Sequence, residues 1–243
     1  MVGLYQERCY RKIVRCEDLH SFSVRVGESD LFVLAGENRS ARIEYILRQE
    51  RENILVYGKE YPEFAKTLFP LVVKPFAPPV CHIMASVSKI AGVGPMAAVA
   101  GALNDMIDED LSENNELIIE NGGDLSIRSQ KDRVAAIYAG EHSPFTNRIG
   151  LILPGGCRWG VCTSSGVIGP SISLGKADAV TVIAETSALA DAWATALANR
   201  VQNENDIEGV LDLFNTMEGV KGIIAVKGEK LGIRGEIELV PLK

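Results

Sequence analysis

Residues 179–201 read AVTVIAETSALADAWATALANRV, an apolar β-branched run followed at once by a helix of alanine, leucine and tryptophan. Val180 to Ala184 has the length and branching of a buried strand. Thr186 or Ser187 is placed to cap the helix that follows. Within that helix Asp191, Thr195 and Asn199 recur every four residues, so they share one face, a turn apart. A solvated face normally carries Lys, Glu or Arg, and none appears here before Arg200. The pattern favours a functional face over a solvated one. A carboxylate and a hydroxyl are short, hard oxygen donors, suited to a magnesium ion that keeps waters or substrate phosphates.

The rest of the chain is a mixture of strands and helices. Phe22 to Val26 and Leu31 to Ala35 read as a hairpin about the turn cluster Gly27-Glu28-Ser29-Asp30. Arg39 to Arg51 carries Ile43, Ile46 and Leu47 at helical spacing. Ile54 to Tyr57 is a short apolar run, and Pro62 to Phe69 a further helical turn or two. Three prolines within residues 71–80 make a rigid connector, either an internal subdomain boundary or a loop within one domain. Pro95 opens a helix whose Ala97, Ala98, Gly101 and Ala102 give it a thin profile, open to close approach by another backbone or a ligand. Glu116 to Glu120 and Leu125 to Arg128 flank the turn Asn121-Gly122-Gly123-Asp124. Further strands are expected at Val134 to Tyr138 and Ile149 to Leu153. Ile207 to Met217 reads as a helix. Strands at Ile223 to Val226, Leu231 to Ile233 and Ile237 to Val240 suggest a terminal meander. The class is mixed α/β, with hairpins that rule out a purely parallel sheet.

Composition narrows the function. The formal charge of −7 has no basic block, which argues against nucleic acid as a partner. The apolar stretch from Ile83 to Ile107 is interrupted by Lys89, glycines and Pro95, so it does not read as a membrane span. Residues 1–20 are charged throughout, without the apolar segment of a secretory signal, and a cytoplasmic location is expected. Five cysteines at irregular spacing suggest free thiols, not disulfides or a zinc site. His20, His82 and His142 are scattered, giving a Ser-His-Asp triad little to start from.

Two loops invite a functional reading. Thr163, Ser164, Ser165 and Gly166, with Ser171, Ser173 and Lys176 beyond, form a hydroxyl- and glycine-rich stretch able to bind phosphate through hydroxyls and backbone N–H groups. Cys162 beside it is either a reactive thiol or a buried small hydrophobe, burial being the commoner fate. The Asn-Gly-Gly-Asp turn is explained by hairpin chemistry alone, although missing β-carbons would also admit a flat ligand.

Taken in order, IENGGDLSI, CTSSG and AVTVIAETSALADAWATALAN resemble the signature series of the ApbE-type FAD:protein FMN transferases. More closely, VGPMAAVAGA, IENGGD, VCTSSG, GKADAVTV and ADAWATA are similar to a sister, ApbE-like family of bacteria and archaea. The resemblance implies a single ApbE-like domain over 1–243, FAD or FMN as ligand, Mg2+ on the pyrophosphate and an acceptor protein for FMN. It implies Asp191 and Thr195 as metal ligands. It lays Asn121, Gly122, Gly123 and Asp124 along the flavin, with Thr163, Ser164, Ser165 and Gly166 beside them. Two segments depart from the transferases. VIGPSISLGKAD stands where they carry H-x-x-D-P-x-x-G, and PMAAVAG where they carry a lysine-glycine pair. No catalytic residue is assigned. Three functions follow for test: magnesium-dependent flavin transfer or pyrophosphate cleavage, a non-catalytic flavin- or nucleotide-binding module, and a sulfur or redox role through Cys162.

Overall fold

The structure, a computed structural model, describes residues 18–140, 143–166 and 174–242. Eight strands pair antiparallel throughout in one sheet. In spatial order they are β1 (His20–Val26), β2 (Ser29–Ala35), β3 (Leu117–Asn121), β4 (Asp124–Ser129), β7 (Cys157–Ser164), β8 (Ala179–Ala184), β9 (Val220–Lys227) and β10 (Lys230–Gly235). A smaller sheet orders β11 (Glu238–Pro241), β6 (Ile149–Leu153) and β5 (Arg133–Ala136). The helices are α1 (Ser40–Glu60), α2 (Pro62–Lys66), α3 (Pro79–Ala91), α4 (Val99–Asp110), α5 (Ser187–Ala198) and α6 (Asp206–Asp212). No single helix among the described residues is long and apolar enough to cross a membrane.

β8 explains the layering. All six of its residues are buried, because the sheet is covered on both faces. Val180, Val182 and Ala184 join the core under the helices, and Ala179 and Ile183 pack towards the small sheet. That is why AVTVIA reads as one apolar run without the polar alternation of a half-exposed strand. β4 divides its alternation differently. Leu125 and Ile127 pack on the small-sheet side, whereas Asn104 and Asp108 of α4 bond to Asp124 and Arg128. α5 is the central helix, and every residue in it except Thr195 is buried.

Several local expectations change in the structure. Ile54 to Tyr57 lies inside α1, where Ile54 and Tyr57 continue the buried stripe of Ile43, Ile46 and Leu47 at helical spacing. The prolines at 78 and 79 open α3, with Pro79 in the first turn where its missing N–H is no loss. Ala77 and Val80 are buried in the same cluster as Val33, Ile43 and Leu103. Pro95–Ala98 forms a 3-10 turn before α4 begins. The stretch around Cys162 to Ser164 is not loop but the end of strand β7. The terminal meander holds for β9 and β10, but β11 leaves it and pairs with β6 in the other sheet.

Candidate functional site

α5 starts where two glycines let it. Gly160 of β7 lies against the Thr186–Ser187 peptide, and Gly101 of α4 against the Ser187 carbonyl. A β-carbon at either position would overlap backbone that has nowhere to move. The thin face expected of α4 is therefore used to bring two helices together. Thr186 is the N-cap, its hydroxyl accepting the Leu189 N–H at 3.3 Å.

The two helices also exchange carboxylates. Asp105 of α4 accepts the Ser187 N–H at Oδ1 (3.0 Å) and the Ala188 N–H at Oδ2 (2.8 Å), the first amides of α5. Asp191 of α5 accepts the Gly101 N–H at Oδ2 (3.0 Å), in the first turn of α4. Each helix thus satisfies otherwise unpaired N–H groups of the other and places negative charge at its positive end. Behind them Arg158 Nη2 donates to Asp105 Oδ1 at 2.6 Å and its Nε pairs with Asp108 at 2.7 Å. Arg128 completes the seam, donating to both Asp108 oxygens at 3.1 and 2.7 Å.

Burial pushes the Asp105 carboxyl up from its ordinary range, against the pull of Arg158 and the two α5 amides. Asp191 is pushed up much further, first by burial and then by the charge of Asp124, while the Gly101 and Ala100 amides oppose the shift. Two acidic groups close together in a buried place each make the other harder to ionise.

The Asn-Gly-Gly-Asp turn joins β3 to β4 with positive φ at Gly122 (73°) and Gly123 (104°), as a two-residue hairpin turn requires. It also reaches the helices. Asn121 Nδ2 contacts the Ala100 carbonyl at 3.5 Å, and Asn104 Nδ2 of α4 donates to the Asp124 carbonyl at 3.0 Å. The Thr163 N–H donates to Asp124 Oδ1 at 3.3 Å, which ties the third segment to the second. Asn121, Asp124, Asp191 and the backbone of Thr163 are thereby gathered beside the first two turns of α4.

Other expected site residues are placed apart. The Thr163 side chain points to the opposite face of the sheet, where its hydroxyl shares a 2.8 Å hydrogen bond with Thr181. Both line a cavity of about 40 Å³ with Gly123, Leu125, Ala136 and Leu151, room for a water or two. Ser164 is buried, and Gly166 is held by its N–H to the Ala177 carbonyl at 2.9 Å. Asn199 accepts the Leu174 N–H at 2.8 Å, so it secures the 174–176 loop to the end of α5. Thr195 is half-buried, one turn beyond Asp191. Ser171, Ser173 and His142 lie outside the described residues.

Among the described residues no group of three or more His, Cys, Asp or Glu side chains is arranged to hold a metal. Oxygens predominate among the donors that stand together, the Cys162 Sγ beside Asp124 being buried and held as a thiol. Asp191 has lone pairs beyond those taken by α4, Asp124 is close enough to raise it, and Thr195 follows on the same face. Such a set fits a hard divalent cation that takes its remaining ligands from water or phosphate, and does not fit zinc.

The thiol reading of Cys162 is corrected here. Its side chain is fully buried under α5, the Sγ 3.3 Å from the Ser187 carbonyl. Burial, then the charges of Asp124, Asp191 and Asp105, push the thiol well above its ordinary range. A reactive cysteine requires exposure and a stabilised thiolate, and this one has neither.

Residues 11–211 match the family model described as AbpE bacteria. The chain belongs to that ApbE-like family. Its relatives include the UPF0280 protein MJ1526 of Methanocaldococcus jannaschii, 40% identical with 82% of this chain and 84% of that protein covered. The UPF0280 protein MK0206 of Methanopyrus kandleri is 33% identical over 89% of this chain and 91% of its own length. Among solved structures, the Pseudomonas stutzeri flavinyl transferase ApbE covers 89% of this chain and 93% of its own at TM-score 0.54 and 15% identity. The Vibrio cholerae flavin transferase ApbE gives 92% and 97%, TM-score 0.55 and 10% identity. The ApbE-like fold is thus shared with the flavin transferases at identities too low to carry more than the fold.

Asp105, Asp108, Arg128 and Arg158 were not singled out from sequence. Asp105 and Asp108 lie in the helix pattern ALNDMIDED, which looks like an acidic helix end. Only the burial of Asp105 and Asp108, at 7% and 0% exposure, reveals that they face inward.

Proposed function

We propose that this ApbE-like protein binds a flavin nucleotide, FAD or FMN, together with a divalent cation of the magnesium type. Asp191 and Thr195 would hold the ion. Asn121, Gly122, Gly123 and Asp124 would line the flavin, with Thr163, Ser164, Ser165 and Gly166 beside them. One observation supports the reading above others: segments separated by tens of residues in sequence meet beside α4 through Asp124, Thr163 and Asp191. When bound, the cation supplies neutralising charge for a pyrophosphate. The residues themselves offer acceptors for the ion and backbone that a ligand can approach at Gly122 and Gly123. As an enzyme, the protein would transfer FMN to an acceptor protein or cleave the FAD pyrophosphate, with magnesium present.

A titration of FAD followed by flavin fluorescence, with and without magnesium, tests this on the wild type and on Asp191→Ala. Metal-dependent binding that the substitution weakens by more than about tenfold is expected, since loss of an outer-shell partner alone costs about that much. Absence of binding by the folded wild type under both conditions overturns the proposal.

A second reading, binding without transfer, is favoured by the interval VIGPSISLGKAD, which supplies no histidine between the Thr-Ser-Ser-Gly segment and β8. Mass spectrometry after incubation with FAD, magnesium and a candidate acceptor separates the two. FMN bound to the acceptor, or AMP released, marks the enzyme, and intact FAD marks the binding module.

A further inference from the structure

We propose that Asp105 is the positioning residue of the α5 site, setting the depth and rotation of that helix and so where Asp191 is presented. This deepens the function proposed above and rests on it for the link to the cation.

α5 takes part of its setting from outside its own sequence. Alanine fills six of its twelve positions, and small, similar side chains specify a packing register weakly. Its own N-cap, Thr186, reaches only Leu189, so the Ser187 and Ala188 amides require a partner from elsewhere. Asp105 provides it with both oxygens, and a carboxylate holding two consecutive amides fixes direction as well as distance. Ser187 Oγ adds a donor to the Leu125 carbonyl at 2.7 Å, which ties the same turn to β4.

Asp105 is itself fixed. It is 7% exposed and held by Arg158, which Asp108 holds in turn. The chain of contacts therefore runs from β7 through Arg158 and Asp105 to the first turn of α5. From there it runs one turn along the helix to Asp191, and back to Gly101 one turn before Asp105 on α4. The loop closes on itself, so a shift of α5 at Ser187 must reappear as a changed contact between Asp191 and the Gly101 amide. The Gly101 amide can thus report the setting of Asp191 with no metal bound.

The test compares Asp105→Asn and Asp105→Glu with Val33→Ala, a core truncation in β2 that lowers stability without removing a hydrogen bond of the seam. Asp105→Glu keeps the charge and a partner for Arg158 while lengthening the reach by one methylene, so it should fold even if Asp105→Asn does not. Two readouts are taken well below each melting temperature: hydrogen exchange of the Gly101 amide, and binding of Mn2+ in the full-length protein. Both Asp105 variants should lose protection at Gly101 by about tenfold or more relative to Val33→Ala at matched stability. Their Mn2+ affinity should fall by about tenfold to a hundredfold while Val33→Ala binds like the wild type. Gly101 protection in Asp105→Glu equal to that in Val33→Ala would overturn the proposal, since charge alone would then suffice. Failure of the wild type to bind Mn2+ would overturn the cation reading instead, with the Gly101 exchange still deciding the role of Asp105.

Discussion

Across β4 and β7 both faces of the large sheet are buried, and they are buried by opposite means. On the small-sheet face Ile127, Leu151, Leu153, Val161, Ile183 and Ile224 form an apolar layer with few directional bonds. On the helix face, across β4 and β7, the contact with α4 and α5 is a seam of Asp105, Asp108, Arg128, Arg158, Asp124 and Asp191. Apolar packing tolerates a change of shape in proportion to the volume changed. A hydrogen-bonded ionic seam does not, because each group left without its partner stays buried and charged. At β4 and β7 the protein thus uses one face for cohesion and the other for placement, and the candidate site lies on the second.

Breaking the seam by steric means should have the largest effect. Gly160→Ala puts a β-carbon into the Thr186–Ser187 peptide, and the helix must move or the strand must bend. A loss of about 4 kcal/mol is expected, at the upper end of single substitutions. Denaturant unfolding would measure it, and any surviving folded protein should have lost metal-dependent flavin binding. On the other face Leu153→Ala should cost about 3 kcal/mol, yet leave flavin and metal affinity in the folded protein unchanged. Equal loss of binding in both variants would erase the distinction between the faces.

The smallest effect sharpens it most. Asp191 has a folded value far above its ordinary 3.8, so the fold prefers its protonated form. Its contribution to stability is most favourable below the ordinary carboxylate range and declines as pH rises through the raised folded value. Asn has the same shape and no proton to lose. In the presence of a chelator, Asp191→Asn should therefore gain on the wild type in melting temperature between pH 4.5 and pH 7.5, while losing metal-dependent binding. A constant difference across that range would mean that Asp191 is stabilised as a carboxylate by its α4 amides.

Much of this was legible in the sequence, for reasons that can be named. Val180 to Ala184 and the capped helix after it carry strong local signals, and the Asn-Gly-Gly-Asp turn carries the strongest hairpin signal available. Asp191 stood out because an acid in an alanine helix without lysine or glutamate is unusual. What stayed hidden depends on long-range partners. Cys157 to Ser164 reads as loop because Gly160 and the hydroxyls weaken it, and only the crossing of α5 explains the glycine. Asp105 and Asp108 look like solvated helix-end acids until Arg158 and Arg128 arrive from two strands. Asn199 shares a face with Asp191 and Thr195 by spacing alone, yet the 174–176 loop takes its side chain. Thr163 shows the limit of motif reading, since its backbone joins the site and its hydroxyl faces the other way.

The pairing of β11 with β6 has a consequence for how the chain acquires its shape. β6 has only β5 beside it until residues 238–241 have left the ribosome. The small sheet covers the apolar face of β4, β7, β8 and β9 with Leu151 and Leu153 of β6, and Leu239 of β11 completes that cover last. Contacts between residues so distant in sequence form late, because the intervening chain must first be ordered. During synthesis the cover of that face is therefore completed only after the helices. Through the interval between β6 and β11, β6 keeps one open edge.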